Sequence, residues 1–326
     1  MRSIIDLDLN EKELRGALKE IEEARFAESK GKGPNYHEAK EFQNSALYTP
    51  AISATYIGHV ERLEKDEKEA KDACDPNLNP FLQMNANFLF GADDLKFINP
   101  NSKLFFYPWV LYSAGQGAKT DGMSKKDNWV TTTPRDKRVV VLGDSGGYQI
   151  QQSSIDFDPE VTPERMLRWL ERIADYSMIL DFPTGGIDKG SVIPHVKRLI
   201  KDGIDIKAIA KQIGFSTDYT ACLEQTKLNN DYFVQNRKAN ATEFLNVIQG
   251  RNEDESRFWY DAVKHYPCEG WAFAGKHSVM LSMTLRRLIQ MRNDRLLKQN
   301  QFIHFLGVST LNVSAAVRLS TPLLSL

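Results

Sequence analysis

This sequence of 326 residues is short of several things, and each shortage narrows what it can be. It has three cysteines, Cys74, Cys222 and Cys268, far apart and without a CxxC pair, so neither a disulfide framework nor a zinc knuckle is indicated. It has no apolar run near the ~18 residues that a membrane span needs. Its opening, "MRSIIDLDLNEKELRG", turns acidic at once and carries no signal-peptide pattern, which leads us to expect a cytoplasmic protein with no membrane partner. Charge of one sign is also lacking: 42 basic and 43 acidic residues leave a formal charge of −1. That excludes a generally basic coat but not a local basic groove. The six histidines are scattered, with no HxH or HExxH spacing, so no metal site is expected. No GxSxG elbow, Walker A loop or dinucleotide fingerprint is present. Internal repeats and low-complexity blocks are absent as well.

What is present falls into two textures. Residues 1–79 read as a charged, helical N-terminal extension, with "LNEKELRGALKEIEEARFAESKGKG" and "HVERLEKDEKEAKDA" flanking the apolar segment "ALYTPAISATYIGHV". From residue 80 to 326 short apolar runs recur, each emptying into small or polar residues: "KLFFYPWVLYSAG", "RVVVLGDSGG", "SMILDFPTGG", "EFLNVIQGR", "GWAFAGKH" and "FIHFLGVST". Amphipathic stretches lie between them, "TPERMLRWLERIADY", "EDESRFWYDAVKHY" and "MLSMTLRRLIQMRNDRLLKQ". Thr162 is expected to cap the first of these, with Pro163 in its first turn. Fully apolar strands alternating with helices predict a parallel sheet buried on both faces, of class α/β. The number of units favours a (β/α) barrel over an open doubly wound sheet. Either way, ligands gather at the carboxyl ends of the strands.

Several candidate site residues stand at those ends. Asp144 opens "DSGGYQ" and can accept a ring N–H or move a proton, while Gly146 and Gly147 let the backbone approach a flat ligand and Tyr148 can stack on it. Asp181, after "MIL", can read two adjacent N–H groups such as those of guanine. Gln249, followed by Gly250, can bind a carbonyl oxygen, and "GWAFAGKH" puts small residues where a planar group can lie. Each also has an ordinary structural reading. Asp144 and Asp181 suit helix caps, Gln249 a polar loop, and the glycine-rich strand close packing.

Together these pieces resemble the tRNA-guanine transglycosylase family, which includes the queuine and archaeosine tRNA-ribosyltransferases. The resemblance runs in order over residues 105–310, through "DSGGYQ", "VTPERMLRWLERIADYSMILDFPT", "FLNVIQGRNEDESRFWYDAVKHYPCEGWAFAGK" and "HFLGVST". It implies a (β/α)8 TIM-type barrel that exchanges guanine in nucleic acid for a 7-deazaguanine such as preQ0. The long charged N-terminus and "FFYPWVLYSAGQ" are most similar to the branch that acts on DNA, so DNA is favoured over tRNA as partner. By the resemblance, Asp144 is the catalytic acid/base. Ser145, Gly146 and Tyr148 line or stack on the base, Asp181 reads its edge, and Gln249, Gly250, Ala274 and Gly275 hold its carbonyl side. Arg286, Arg287 and Arg292 are expected to contact nucleic acid from a basic helix over 279–298. The family's nucleophilic aspartate lies beyond Gly307, and no Asp or Glu follows Asp294 here. The family's zinc segment has no counterpart either, so no cofactor is expected. These departures predict a barrel without its last strand, which binds a base but needs a second copy or partner subunit, or a longer chain, to exchange it.

Overall fold

The computed structural model describes residues 47–72, 91–118, 128–132, 135–151, 155, 157–184, 187, 203, 218–298 and 301–308. The boundary expected at residue 79 and the missing last strand, expected after Gly307, both lie outside them, as does most of the N-terminal extension. Of that extension, helix α1 (Ala54–Asp72) is described. The chain divides into two units, one of 1–43, 60–108 and 133–139, the other of 44–59, 109–132 and 140–326.

In the first unit, polar side chains hold the short turn at Ala92–Leu95. The Asp94 carboxylate accepts from the amides of Gly91 (2.9 Å) and Lys103 (2.6 Å), and Glu67 accepts from the Ala92 amide at 2.7 Å. Lys96 is buried to 8 % exposure, with its ammonium between Glu64 and Asp93.

The second unit is built on six parallel strands in sequence order: β1 (Trp109–Ser113), β2 (Val140–Asp144), β3 (Tyr176–Met178), β4 (Glu243–Ile248), β5 (Gly270–Phe273) and β6 (Ile303–Phe305). Five lie within apolar runs read from the sequence, and β3 starts one residue before its run, at Tyr176. Burial of successive residues along β2, β4 and β5 puts both strand faces in the core, which is why those runs are largely apolar rather than alternating; Asn246, buried in β4, gives its Nδ2 proton to Val263 O at 2.7 Å. Residues 50–52 extend the sheet beyond β1, where the Leu111 amide donates to Pro50 and the Ile52 amide to Leu111, each at 2.9 Å.

The sheet curls into half a barrel. Flat, β1 and β6 would lie roughly 24 Å apart at the usual strand spacing, more than two aromatic side chains can span. Yet the ring of Phe302, just before β6, stacks on Trp109 of β1 at 6.2 Å and on Tyr176 of β3 at 4.5 Å. This closes the amino-terminal end of the curl with aromatic rings and leaves the carboxyl ends for the site.

Short helices α2 (Ala114–Gly117), α3 (Trp129–Thr132) and α4 (Gly147–Gln151) follow the early strands, and longer ones cover the sheet: α5 (Thr162–Ile173), α6 (Tyr219–Asn236), α7 (Glu253–Val263) and α8 (Leu281–Asn293). Helix α5 buries Met166, Leu167, Trp169 and Leu170, each worth about 1.5–3 kcal/mol of transfer from water. Its start corrects one expectation. The Thr162 hydroxyl accepts from the Asp158 amide at 2.9 Å, back toward the loop, and so does not cap the helix. Helix α7 starts conventionally, with Asn252 accepting from the Glu255 amide (2.9 Å) and three acids in the first turn, where the helix dipole favours them. Helix α6 has no counterpart in the sequence reading, for a reason given below.

Candidate active site

The site grows from the exit of β2. Asp144 is the strand's last residue, paired in register with Ser113 at the end of β1. The Ser113 hydroxyl donates to Asp144 Oδ2 at 2.6 Å, and its own oxygen accepts from the Gly115 amide at 3.1 Å. With a lone pair so occupied, the Ser113 proton is aimed at the carboxylate. The backbone amides of Gly146 and Ser145 donate to Asp144 as well. Desolvation pushes the Asp144 carboxyl above its ordinary value, and these three donors pull against that rise.

The glycines after Asp144 make room for protein before any ligand. Gly146 has φ +87°, and a Cβ there would sit 2.8 Å from the Gly115 amide nitrogen. A Cβ on Gly147 would come within 2.0 Å of the Asp181 carbonyl oxygen. The turn after β2 is thus packed backbone to backbone between the exits of β1 and β3. Ser145, between Asp144 and these glycines, is fully buried and its hydroxyl has no hydrogen-bond partner. Tyr148, on the first turn of α4, is 59 % exposed, so its ring lies open to solvent.

Asp181 lies three residues past the end of β3 and is 5 % exposed. Its Oδ2 accepts from Gln249 Nε2 at 2.6 Å. Burial pushes its carboxyl up to about 7; the Gln249 amide opposes the shift and the charge of Asp144 adds to it. A carboxyl in this state is poised between proton and ligand. Gln249 is itself buried, with its Oε1 at 3.5 Å from both the amide and the hydroxyl of Thr184. Gly250 O accepts from the Lys276 amide at 3.1 Å, and Ile248 O from the Ala274 amide at 2.9 Å, which bring the exit of β5 against that of β4. A Cβ on Gly275 (φ +62°) would stand 2.9 Å from Gln249 Oε1.

The fold therefore joins Asp144, Ser145, Gly146, Asp181, Gln249, Gly250, Ala274 and Gly275 at neighbouring strand exits. Ser113, Thr184 and Gln149, whose Oε1 is 3.3 Å from Ser113 Oγ, belong to the same cluster and were not singled out from the sequence. The signal for Ser113 is in "WVLYSAG", an apolar run ending in a hydroxyl and small residues, the same form as "VVVLGDSGG".

The basic helix needs a correction. Arg286 and Arg292 are exposed on α8. Arg287 is 1 % exposed: its Nε donates to Ser256 Oγ (3.2 Å), its guanidinium pairs with Glu253 (3.1 Å) and Gln290, and it lies over the Tyr260 ring. It braces α8 against α7 and does not face a phosphate. Beside it His277 is buried between Ser256 (2.9 Å) and Thr284 (3.1 Å), its pKa lowered to about 3 by burial and by Arg287, so it is neutral.

Among the described residues no group of three His, Cys, Asp or Glu side chains is placed to hold a metal, and no helix is long and apolar enough to cross a membrane. No protein-family model matches the chain, and the curated proteins give no match to it either.

Proposed function

We propose that this protein binds a 7-deazaguanine such as preQ0 and exchanges it for guanine in nucleic acid, with DNA favoured over tRNA. The observation that carries the reading is the pair of carboxylates, Asp144 and Asp181, at adjacent strand exits, with the Gln249 amide bonded to the second. The order of the motifs along the chain supports it too. On this reading the six-strand half-barrel is part of a (β/α)8 barrel.

The chemistry suits the residues. As the C1′–N9 bond of guanine breaks, positive charge develops at C1′ and is trapped as an ester by a carboxylate other than Asp144 and Asp181, whose bond to C1′ breaks again as the entering base attacks. The leaving base takes a proton, and the entering base gives one up as its N9 bonds to C1′. Asp144, raised by burial and steadied by Ser113, holds and returns that proton. Asp181 accepts two N–H groups of the base edge, while Gln249 offers its remaining N–H to the base carbonyl. The target nucleotide leaves its stack at a cost of a few kcal/mol, which contacts to the extruded base offset. Arg286 and Arg292 then meet the phosphates.

A second reading, binding of the base without exchange, is favoured by the tasks of the two acids: Asp144 carries the proton and Asp181 reads the base edge, so neither is left to attack C1′. One experiment separates the two. The purified chain is incubated with radiolabelled preQ0 and duplex DNA or tRNA, and preQ0 binding is measured by calorimetry. Incorporation supports exchange, binding without incorporation supports the second reading, and no binding rejects both. Replacing Arg286 and Arg292 together flattens the log–log salt dependence of DNA binding by up to about 2 if each meets a phosphate; an unchanged slope removes them from the footprint.

A further inference from the structure

Helix α6 buries a stripe that is polar: Gln225, Thr226, Asn229 and Asn230, beside Cys222. Such a face is costly. Buried amides and hydroxyls lose their water and regain it only through hydrogen bonds, while leucines would bury at no such cost. Asn230 does not recover the loss, since neither of its amide atoms finds a partner. Its neighbours do, and where their bonds go is informative. Asn229 Nδ2 donates to Leu180 O at 3.2 Å, and its Oδ1 is fixed by Gln225 Nε2 at 3.1 Å. Thr226 Oγ1 accepts from the Phe182 amide at 3.0 Å, and its proton goes to Cys222 O at 2.8 Å. Leu180 and Phe182 are the residues on either side of Asp181.

Strand β3 ends at Met178, and the last sheet bond on this path is from the Ile179 amide to Leu245 O at 3.0 Å. Past that point the sheet no longer fixes the backbone that carries Asp181. Two directed bonds from one helix take over, each with its polarity set by a second bond behind it. Gln151 holds the far side through Pro183 O.

We propose that Thr226 and Asn229 are positioning residues, which clamp the backbone on both sides of Asp181 so that its carboxylate meets the Gln249 amide and the base. The proposal rests on the base-reading role given to Asp181 above, and the test keeps the two apart. The full chain is labelled with ¹⁵N-glutamine, and the Gln249 side-chain amide is assigned through Gln249→Asn. This resonance reports the bond to Asp181 without any ligand. Thr226→Val keeps the shape and removes the acceptor; Thr226→Ser keeps the acceptor. The expected result is that Thr226→Val moves the Gln249 amide resonance and weakens preQ0 binding about tenfold by calorimetry, that Asn229→Ala does the same, and that Thr226→Ser restores both. A merely structural role would lower the melting temperature of Thr226→Val and leave the resonance and the affinity of the folded protein as they were, which would overturn the proposal. Failure of Thr226→Ser to restore them would overturn it too. If the wild-type protein binds no preQ0, the functional reading falls, and the Gln249 resonance still decides whether the clamp exists.

Discussion

The exits of β2 and β3 each present an acid, half-buried in the first and buried in the second, and they are built differently. Asp144 ends its strand, so the ladder with β1 fixes its backbone, and a hydroxyl and two backbone amides converge on its carboxylate. Asp181 comes three residues after its strand has ended, meets one amide side chain, and lies deeper. The first is a seat whose donors offset part of the rise that burial imposes. The second is met by a single side-chain donor, and burial raises its carboxyl to about 7, with the charge of Asp144 adding to the rise. Burial raises both carboxyls, and the contrast lies in the donors that oppose it: a hydroxyl and two backbone amides at Asp144, the Gln249 amide and its own backbone amide at Asp181.

The largest effect is expected where the two exits touch. Gly147→Ala would force a Cβ to within 2.0 Å of the Asp181 carbonyl oxygen, and backbone cannot yield as a side-chain tip does. Overpacking of this kind costs about 1–3 kcal/mol or more. It should separate the exits and abolish base binding. A variant that melts and binds preQ0 like the wild type would show that the exits need not touch.

Next comes the charge of Asp181. Its folded pKa, about 7, lies above the ordinary 3.8, so the folded state holds the proton more tightly than the unfolded chain. Stability from this group is therefore greatest below about pH 4 and is lost as pH rises toward 7. Asp181→Asn should remove that part of the decline, leaving a flatter melting temperature between those limits. It should also weaken preQ0 at least tenfold, because one N–H of the base then faces an amide N–H in place of an acceptor. An unchanged affinity would take Asp181 out of the base-reading role.

These two exits also show what could be read from the sequence. The strands were legible because burial on both faces writes a strand as a mostly apolar run, although β6 is only half-buried and β3 starts one residue before its run, and the acids stood out because each ends or follows such a run. Helix α6 was not legible, since Gln225, Thr226, Asn229 and Asn230 occupy the face that an amphipathic pattern would fill with leucine. What supports Asp181 was thus hidden while Asp181 itself was visible. Arg287 was misread for the opposite reason. It falls in phase with Met283, Thr284, Leu288 and Met291, the buried stripe of α8, so helical periodicity already placed it inside. Charge composition was given weight that belonged to phase. The glycines of "DSGGYQ" were read as room for a ligand, and the structure spends that room on neighbouring backbone, a use that depends on contacts distant in sequence.

A smaller change tests the other seat. Ser113→Ala removes a donor from Asp144, at about 1.5–3 kcal/mol for a hydrogen bond to a charged group, less the share that solvent restores at the half-buried Asp144. The Asp144 carboxyl should then titrate at higher pH than in the wild type, since the bond that held it down is gone. Carboxyl ¹³C chemical shifts across a pH series would show this. No upward movement would mean that the backbone amides alone set the charge, and the contrast between the seats would rest on burial.

The smallest effect is expected behind Gln249. Thr184 is fully buried, yet its amide and hydroxyl both stand 3.5 Å from Gln249 Oε1, at the outer limit of a hydrogen bond. Asp181 takes the other end of the same side chain at 2.6 Å. Gln249 is therefore oriented from its nitrogen end by Asp181, and its oxygen end is only loosely held. Thr184→Val, which keeps the volume and removes the hydroxyl, should cost less than about 1 kcal/mol and change preQ0 affinity by less than about threefold, since a weak neutral bond contributes little net stability. Chemical denaturation and calorimetry would measure both. A loss as large as that of Asp181→Asn would reverse the order argued here. Gln249 would then be anchored by Thr184 and would in turn hold Asp181, so the second seat would be prepared by its neighbours as fully as the first.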